Sequence, residues 1–327
     1  MSLRVYLDQN KWIELSAAAQ GKAGFEHLDD VLLVARHGVE HGLVSFPLSS
    51  IHYMETWGTK PWRQRQPLAT IMAELSRFLT IAGHEEVLAM ELDRALQERF
   101  GRPTNIRAVD LFGYGVAHAF GKANLGLRDR LSPEIRAAID EHPSLGRTID
   151  DIGEFSALAG PPRDLPVVGI DTTSHKVFGD RFAEGERSLA SRLREQGFAK
   201  GRLPRALVAS VFLDILDPVN DAFARAGISA AELDTRDAIT DFVMSLPSMH
   251  VAYEMRRIRH RNPQQSWKPN DLNDIAALSI AIPYCEVVVT ERHWRGVLTD
   301  AHLDTRYGTA ILDDLCELPA HIVAVQT

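Results

Sequence analysis

An α/β fold built on a parallel sheet is predicted by two features of this sequence. Strand and helix patterns alternate over residues 1–60, and the same alternation returns over residues 246–327. Such alternation favours a parallel sheet flanked by helices. Residues 61–245 read instead as a succession of helices. The simplest organisation is an α/β core made of residues 1–60 and 246–327, interrupted by a large, mostly α-helical insertion at 61–245. Chain ends that lie close together in space permit such an arrangement.

The first strand is predicted at residues 4–7, with a helix beginning near Lys11. In "FEHLDDVLLVARHGVEHG" (25–42), Leu28, Val31, Leu32, Ala35 and Val39 recur at helical spacing, and Gly42 is a stop. "LVSFPL" (43–48) predicts a short buried strand, and Ser49 or Ser50 caps the helix "SIHYMETW". Inside the insertion, helices are predicted for "LATIMAELSRFLTIAG", "HEEVLAMELDRALQERFG", "IRAVDLFGYGVAHAFG", "FAEGERSLASRLREQG" and "LPRALVASVFLDILDPVNDAFARAG". "DLPVVGIDTT" holds one strand. Glycine and proline separate these segments, as in "GRP" and "GPPRDLP". Towards the C-terminus, "NDLNDIAALSIAIPYC" predicts a helix, "EVVVT" a β-branched strand and "ERHWRGVL" a short helix. "TAILDDL" and "HIVAV" predict two further short strands. No repeat period and no low-complexity segment is present.

The chain has 327 residues, 45% hydrophobic and 24% charged, the proportions of an ordinary globular protein. Its net charge of −8 argues against a protein that coats nucleic acid by bulk charge. It does not argue against a metal-dependent enzyme acting on nucleic acid, because such enzymes gather carboxylates and the ions restore positive charge. Residues 1–25 lack the pattern of a signal peptide, and no apolar run is long enough to span a membrane. Cys285 and Cys316 sit in apolar surroundings outside any CxxC pair. They read as reduced core residues of a cytoplasmic protein.

In an open parallel sheet, ligands bind beyond the carboxyl ends of the strands. Asp8 directly follows the first strand, and Glu55 lies early on the helix after the second. Asp271 and Asp274 share one face of one helix. Glu291 directly follows "VVVT". Each acid also has a plain role: Asp8, Asp271 and Glu291 suit helix N-termini, and Glu55 and Asp274 suit helix surfaces. Their shared location is what points to chemistry. A carboxylate cluster repels itself unless cations neutralise it. Its natural use is to bind one or two Mg2+ or Mn2+ ions, which activate a water and stabilise charge on a phosphodiester.

These segments carry a resemblance. "YLDQN" followed by a helix looks like the opening of a PIN-like nuclease domain, "SSIHYMETW" is similar to the segment bearing that family's second acid, and "NDLNDIAALSIAIPYCEVVVTERHW" resembles its most recognisable stretch. The resemblance implies a Rossmann-like sheet, Mg2+ or Mn2+, and hydrolysis of nucleic acid, RNA more than DNA. Asp8 matches the first acid and Glu55 the second, while Asp271 and Asp274 compete for the third. Glu291 takes the fourth place with two departures: the family uses Asp, and one residue normally separates it from the Thr. Asp313 or Asp314 is the substitute. Thr290 is placed to bond near the site, and Asn10 to orient Asp8 or a bound water. The insertion lies outside the resemblance. It leaves open substrate selection, gating, homo-oligomerisation or a protein partner.

"YEMRRIRHRNPQQSWKPNDL" (253–272) is the most basic stretch. Arg256, Arg257, Arg259, Arg261 and Lys268 are expected to hold phosphates and Trp267 to stack a base, with His260 among them. "WGTKPWRQRQ" (57–66) is a second basic-aromatic patch. A solvated helix face and an exposed loop are the plain alternatives.

Two rivals remain beside a nuclease. One is a catalytically inactive PIN-like module that binds RNA or protein. The other is a haloacid dehalogenase-type phosphatase with Asp8 as nucleophile, which wants an aspartate where Asn10 stands. A dinucleotide loop and a zinc HExxH site lack their motifs, and for a HEPN-type ribonuclease Arg256 and His260 stand one residue too close, with Arg225 leaving that reading formally open.

Overall fold

The computed structural model describes residues 2–59, 61–101, 109–122, 125, 127, 131–160, 172–195, 202–262 and 266–325. Strand β1 is Leu3–Leu7, followed by α1 (Gln9–Ala19), α2 (Asp29–Glu40), β2 (Val44–Ser45) and α3 (Ser50–Thr59). Next come α4 (Trp62–Ser76), β3 (Leu79–Ile81), α5 (His84–Phe100), β4 (Phe112–Tyr114) and α6 (Gly115–Phe120). Then α7 (Pro133–Asp140), α8 (Pro143–Ala159), α9 (Thr172–Glu195), α10 (Arg202–Asp214), α11 (Leu216–Ala226) and α12 (Arg236–Ser245) lead to α13 (Pro247–His260). The chain closes with α14 (Asp271–Tyr284), β5 (Val287–Val289), α15 (Arg292–Asp300), α16 (Leu303–Tyr307), β6 (Ala310–Leu312) and α17 (Leu318–Ala324).

Four strands form a parallel sheet in the order β2-β1-β5-β6. The α/β class and the parallel sheet are as the sequence predicts. Val5 pairs with Val287, and Val288 with Ile311. Side chains alternate across the sheet. Val5, Leu7, Val287, Val289 and Leu312 enter one core with α1, α2, α4, α8 and α17. Tyr6, Val288 and Ile311 enter a second with α13, α14 and α15. Burial on both faces explains why these strands are almost wholly apolar. A third cluster joins α5 to α10, α11, α12 and α13. Residues from 61–245 therefore contribute to both faces of the sheet, through Leu68, Met72 and Leu158 on one and Ile81 and Val87 on the other.

Several local expectations are corrected. "FLTIA" and "LFGYG", expected inside helices, form the antiparallel pair β3-β4. Arg77 and Phe78 adopt positive φ (49° and 58°), which ends α4 and turns the chain into the strand. A parallel bridge from Leu48 to Thr80 joins this pair to the end of the β2 segment, whose regular part is only Val44–Ser45. The long helix expected at 203–227 is two, α10 and α11, broken at Ile215. "HIVAV", expected as a strand, lies in α17 and its cap, with Pro319 in the first turn. Cys316 is exposed, not a core residue; Cys285 is buried. Most of "DLPVVGIDTT" lies outside the described residues, and its last two threonines begin α9. No described helix is long and apolar enough to cross a membrane.

Candidate active site

The sheet ends at a cleft of about 1160 Å³. Asp8, Glu55, Asp271, Asp274 and Glu291 all line it. Five acids from four segments thus meet at the carboxyl edge of the strands, where an open α/β sheet leaves its crevice.

Asp8 both caps a helix and lines the cleft. It is the N-cap of α1, with Oδ1 accepting from the Gln9 N–H at 2.7 Å. Its Oδ2 accepts from the Thr290 hydroxyl at 2.9 Å. Thr290 is fully buried directly after β5, so its bond to Asp8 ties the carboxyl ends of the two central strands together. Burial raises the Asp8 pKa, and the hydrogen bonds from Thr290 and Gln9 oppose that rise.

Glu55 is presented by α3. Asn273 of α14 donates to its Oε1 at 2.8 Å. Its pKa is pushed up to about 7, first by burial, then by Asp8 and Glu291, against the Asn273 bond. Asp274 stands in the first turn of α14 and rises to about 8. Burial is again the main cause, Asp8 adds to it, and a hydrogen bond from Trp294 opposes. Glu291 occupies the N-cap position of α15 without capping it through its side chain. The exposed Asn10 amide donates to Glu291 Oε1. That is the partner of Asn10, in place of Asp8.

Asp271 differs from the other four. Its Oδ2 accepts from Arg259 at 2.6 Å and from the Lys268 N–H at 2.6 Å. The buried ion pair compensates its charge, so Asp274 is the acid of α14 that faces the cluster. Asp313 pairs with Arg295, and Asp314 caps a short turn at Cys316. Neither lines the cleft, so neither replaces Glu291.

The expected phosphate-holding patch does not assemble as a surface. Arg256 is buried among Glu186, Asp214 and Ser210. Arg257 pairs with Glu254 along its own helix. Arg259 is 6% exposed and Trp267 3%, so Trp267 packs in the core instead of offering a face to a base. His260 bonds Glu186. Arg261 and Lys268 remain exposed, and Lys268 lines the cleft with Lys176 of α9. In the 57–66 patch, Lys60 lies outside the described residues and Arg65 is buried on the cleft wall.

Comparison with protein-family models, curated proteins and solved structures returns no match. The site must be read from its own chemistry. Its donors are carboxylate oxygens, with no thiolate among them, as suits a hard divalent cation. Burial is the main cause of the upward displacement of Glu55 and Asp274, and the neighbouring acids add a repulsion that a cation would relieve. Among the described residues, no three His, Cys, Asp or Glu side chains stand close enough, as placed, to form a ready ligand shell. The fit therefore lies in donor type and charge, not in a preassembled geometry.

Four supporting residues escaped the sequence reading. Asn273 and Trp294 hold Glu55 and Asp274. Gln9 donates to Thr56 at 3.2 Å, joining α1 to α3. His52 is wholly buried; its Nδ1 accepts from the Ser49 N–H at 2.9 Å, so its Nε2–H donates to the Leu7 carbonyl at 2.8 Å. Burial lowers its pKa to about 4, which keeps it neutral. It ties the residue before Asp8 to the helix that carries Glu55. The spacing His52-x-x-Glu55 puts both on one helix face, and that was the available signal.

Proposed function

We propose that this protein is a metal-dependent, PIN-like nuclease that hydrolyses phosphodiester bonds, with RNA the preferred substrate over DNA. The supporting observation is the convergence of Asp8, Glu55, Asp274 and Glu291 from four separate segments on one cleft. Its volume admits several nucleotides' worth of atoms. Asp8, Glu55, Asp274 and Glu291 would hold Mg2+ or Mn2+. When bound, such an ion lowers the pKa of water and neutralises charge on a phosphoryl group.

The chain's own residues have separable tasks. Thr290 and the Gln9 N–H fix both oxygens of Asp8. Asn273 and Trp294 orient Glu55 and Asp274 towards their ionised forms, since both donate to the carboxylates. Lys176 and Lys268 put positive charge on the cleft wall for the phosphate backbone. No Ser or Cys nucleophile is needed, because water attacking phosphorus displaces one sugar oxygen directly, and that oxygen leaves as a hydroxyl after taking up a proton.

The inactive RNA- or protein-binding module stays as a second reading, favoured by the lack of a ready ligand shell among the described residues. One experiment separates the two. Labelled single-stranded RNA and DNA are incubated with protein in Mn2+, Mg2+ or EDTA, beside Asp8→Asn and Asp274→Asn. The nuclease reading expects metal-dependent cleavage that falls by at least about 100-fold in both variants while their melting stays cooperative. Cleavage that survives both substitutions, or none by the unaltered protein, defeats it.

A further inference from the structure

Behind the cleft, α13 and α15 meet at Arg259. Its guanidinium lies between two indoles, 4.8 Å from the ring centre of Trp267 and 5.4 Å from that of Trp294. Nη2 donates to Asp271 at 2.6 Å and to the Ser266 carbonyl at 3.3 Å. Nη1 lies 2.8 Å from Nε2 of His293.

That last contact fixes chemistry. A guanidinium carries five N–H donors and no acceptor. Nε2 of His293 must therefore accept, and the ring's single proton must sit on Nδ1. Imidazolium would set two donors and two positive charges against each other. Arg259 cannot yield, because Asp271 and the two indoles hold it in place. Arg259, Asp271 and Glu291 are the charged groups around the ring. His293 is partly exposed and lines the cleft with the acids. Among the described residues, no protein acceptor takes its Nδ1–H.

We propose that His293 is a fixed, neutral hydrogen-bond donor, through Nδ1, to a non-bridging oxygen of the phosphodiester in the cleft. Arg259 is the positioning residue that sets its tautomer. This rests on the nuclease reading and adds a substrate contact to it. A neutral donor suits a carboxylate-rich cleft. A lysine or arginine at this position would pair with Glu291 and leave less of its charge for the substrate.

Asparagine and glutamine discriminate the two ring nitrogens. The Asn amide N–H reaches about where Nδ1 lies, and the Gln amide about where Nε2 lies. RNA affinity is measured by anisotropy with a labelled 15-nucleotide single strand, in an Asp8→Asn background that does not cut. His293→Asn should bind within about 3-fold of its parent, while His293→Gln and His293→Ala weaken binding about 10-fold, the loss of a hydrogen bond to a charged group. Long-range proton–nitrogen spectra of the free, unaltered protein, compared with His293→Asn, should assign the lost ring as the Nδ1–H form. The double variant Arg259→Met, Asp271→Asn removes the buried pair together and should release the ring to a mixture of tautomers.

An Nε2–H or doubly protonated ring overturns the inference, as does equal binding by the Asn and Gln variants. With metal-dependent cleavage intact, either result leaves the nuclease reading standing. Absence of both cleavage and RNA binding overturns that reading and the phosphate contact with it. The ring spectrum still decides the tautomer should the double variant fail to fold.

Discussion

Asp274 shows what a cluster of acids costs a single side chain. Without a cation its carboxyl holds a proton up to about pH 8, and Glu55 does so to about pH 7, mainly because both are buried. An unfolded chain releases those protons near pH 4. The folded state therefore binds more protons between about pH 4 and 8, and stability falls as pH rises through that interval. Thermal melts in EDTA should show this decline from pH 5 to 9, flattened in Asp274→Asn. Excess Mn2+ should raise the melting temperature more at the alkaline end, since it favours the ionised carboxylates. A pH-independent melting curve in EDTA would remove the raised carboxyl pKa values from the account. Trp294 makes a companion prediction. Trp294→Phe keeps a buried aromatic ring but deletes the indole N–H that bonds Asp274. Turnover should fall about 10-fold or more, the worth of a hydrogen bond to a charged group, with far-UV circular dichroism unchanged.

Helix α3 is placed by a histidine, and this tests the elements against each other. His52 satisfies the Ser49 N–H and the Leu7 carbonyl, two buried main-chain groups on different elements. His52→Leu leaves both without partners, at roughly 1–3 kcal/mol each. Urea unfolding should show a loss of about 2–6 kcal/mol, and cleavage should drop with it because Glu55 shifts relative to Asp8. A loss under 1 kcal/mol would mean the helix is held by packing alone. The elements that sequence made legible are those with one dominant signal. The apolar runs of β1 and β5 announce strands buried on both faces. Asp8 and Glu291 stand where such strands and the next helix meet, and Asp274 lies in the first turn of the helix that leads into β5. What was not legible depends on partners far away in the chain. "FLTIA" continues a helical pattern until Arg77 and Phe78 take positive φ, a turn no local periodicity announces. "HIVAV" has the β-branched content of a strand, yet lies against α2, where a helix buries Ile322. The arginines of α13 look like a charged patch because Glu186, Asp214 and Asp271, which neutralise two of them, belong to other segments.

For the whole molecule, the decisive fact is that both faces of the sheet are covered in part by residues between 61 and 245. Leu68, Ile71, Met72 and Leu75 of α4 lie in the same core as Val5 and Val289. A chain joining residue 59 directly to residue 246 should not fold to a cooperative unit, because burying those four side chains contributes about 1.5–3 kcal/mol each. Proton spectra with poor dispersion and strong binding of an apolar dye are the expected signs. A well-dispersed spectrum from that chain would show that residues 61–245 are dispensable to the core. The sheet order also orders events in time. Val5 pairs with Val287, so an inner strand made at the start of translation acquires its second neighbour only near the end. At the pace of a ribosome that interval is roughly 15–60 s. Until it closes, Asp8 and Glu55 exist without Asp274 and Glu291, and the open edge of β1 is free to pair with another chain. A message cut short before this point yields a polypeptide with two of the four proposed ligand acids and no cleft, so on the nuclease reading a truncated product would be inactive.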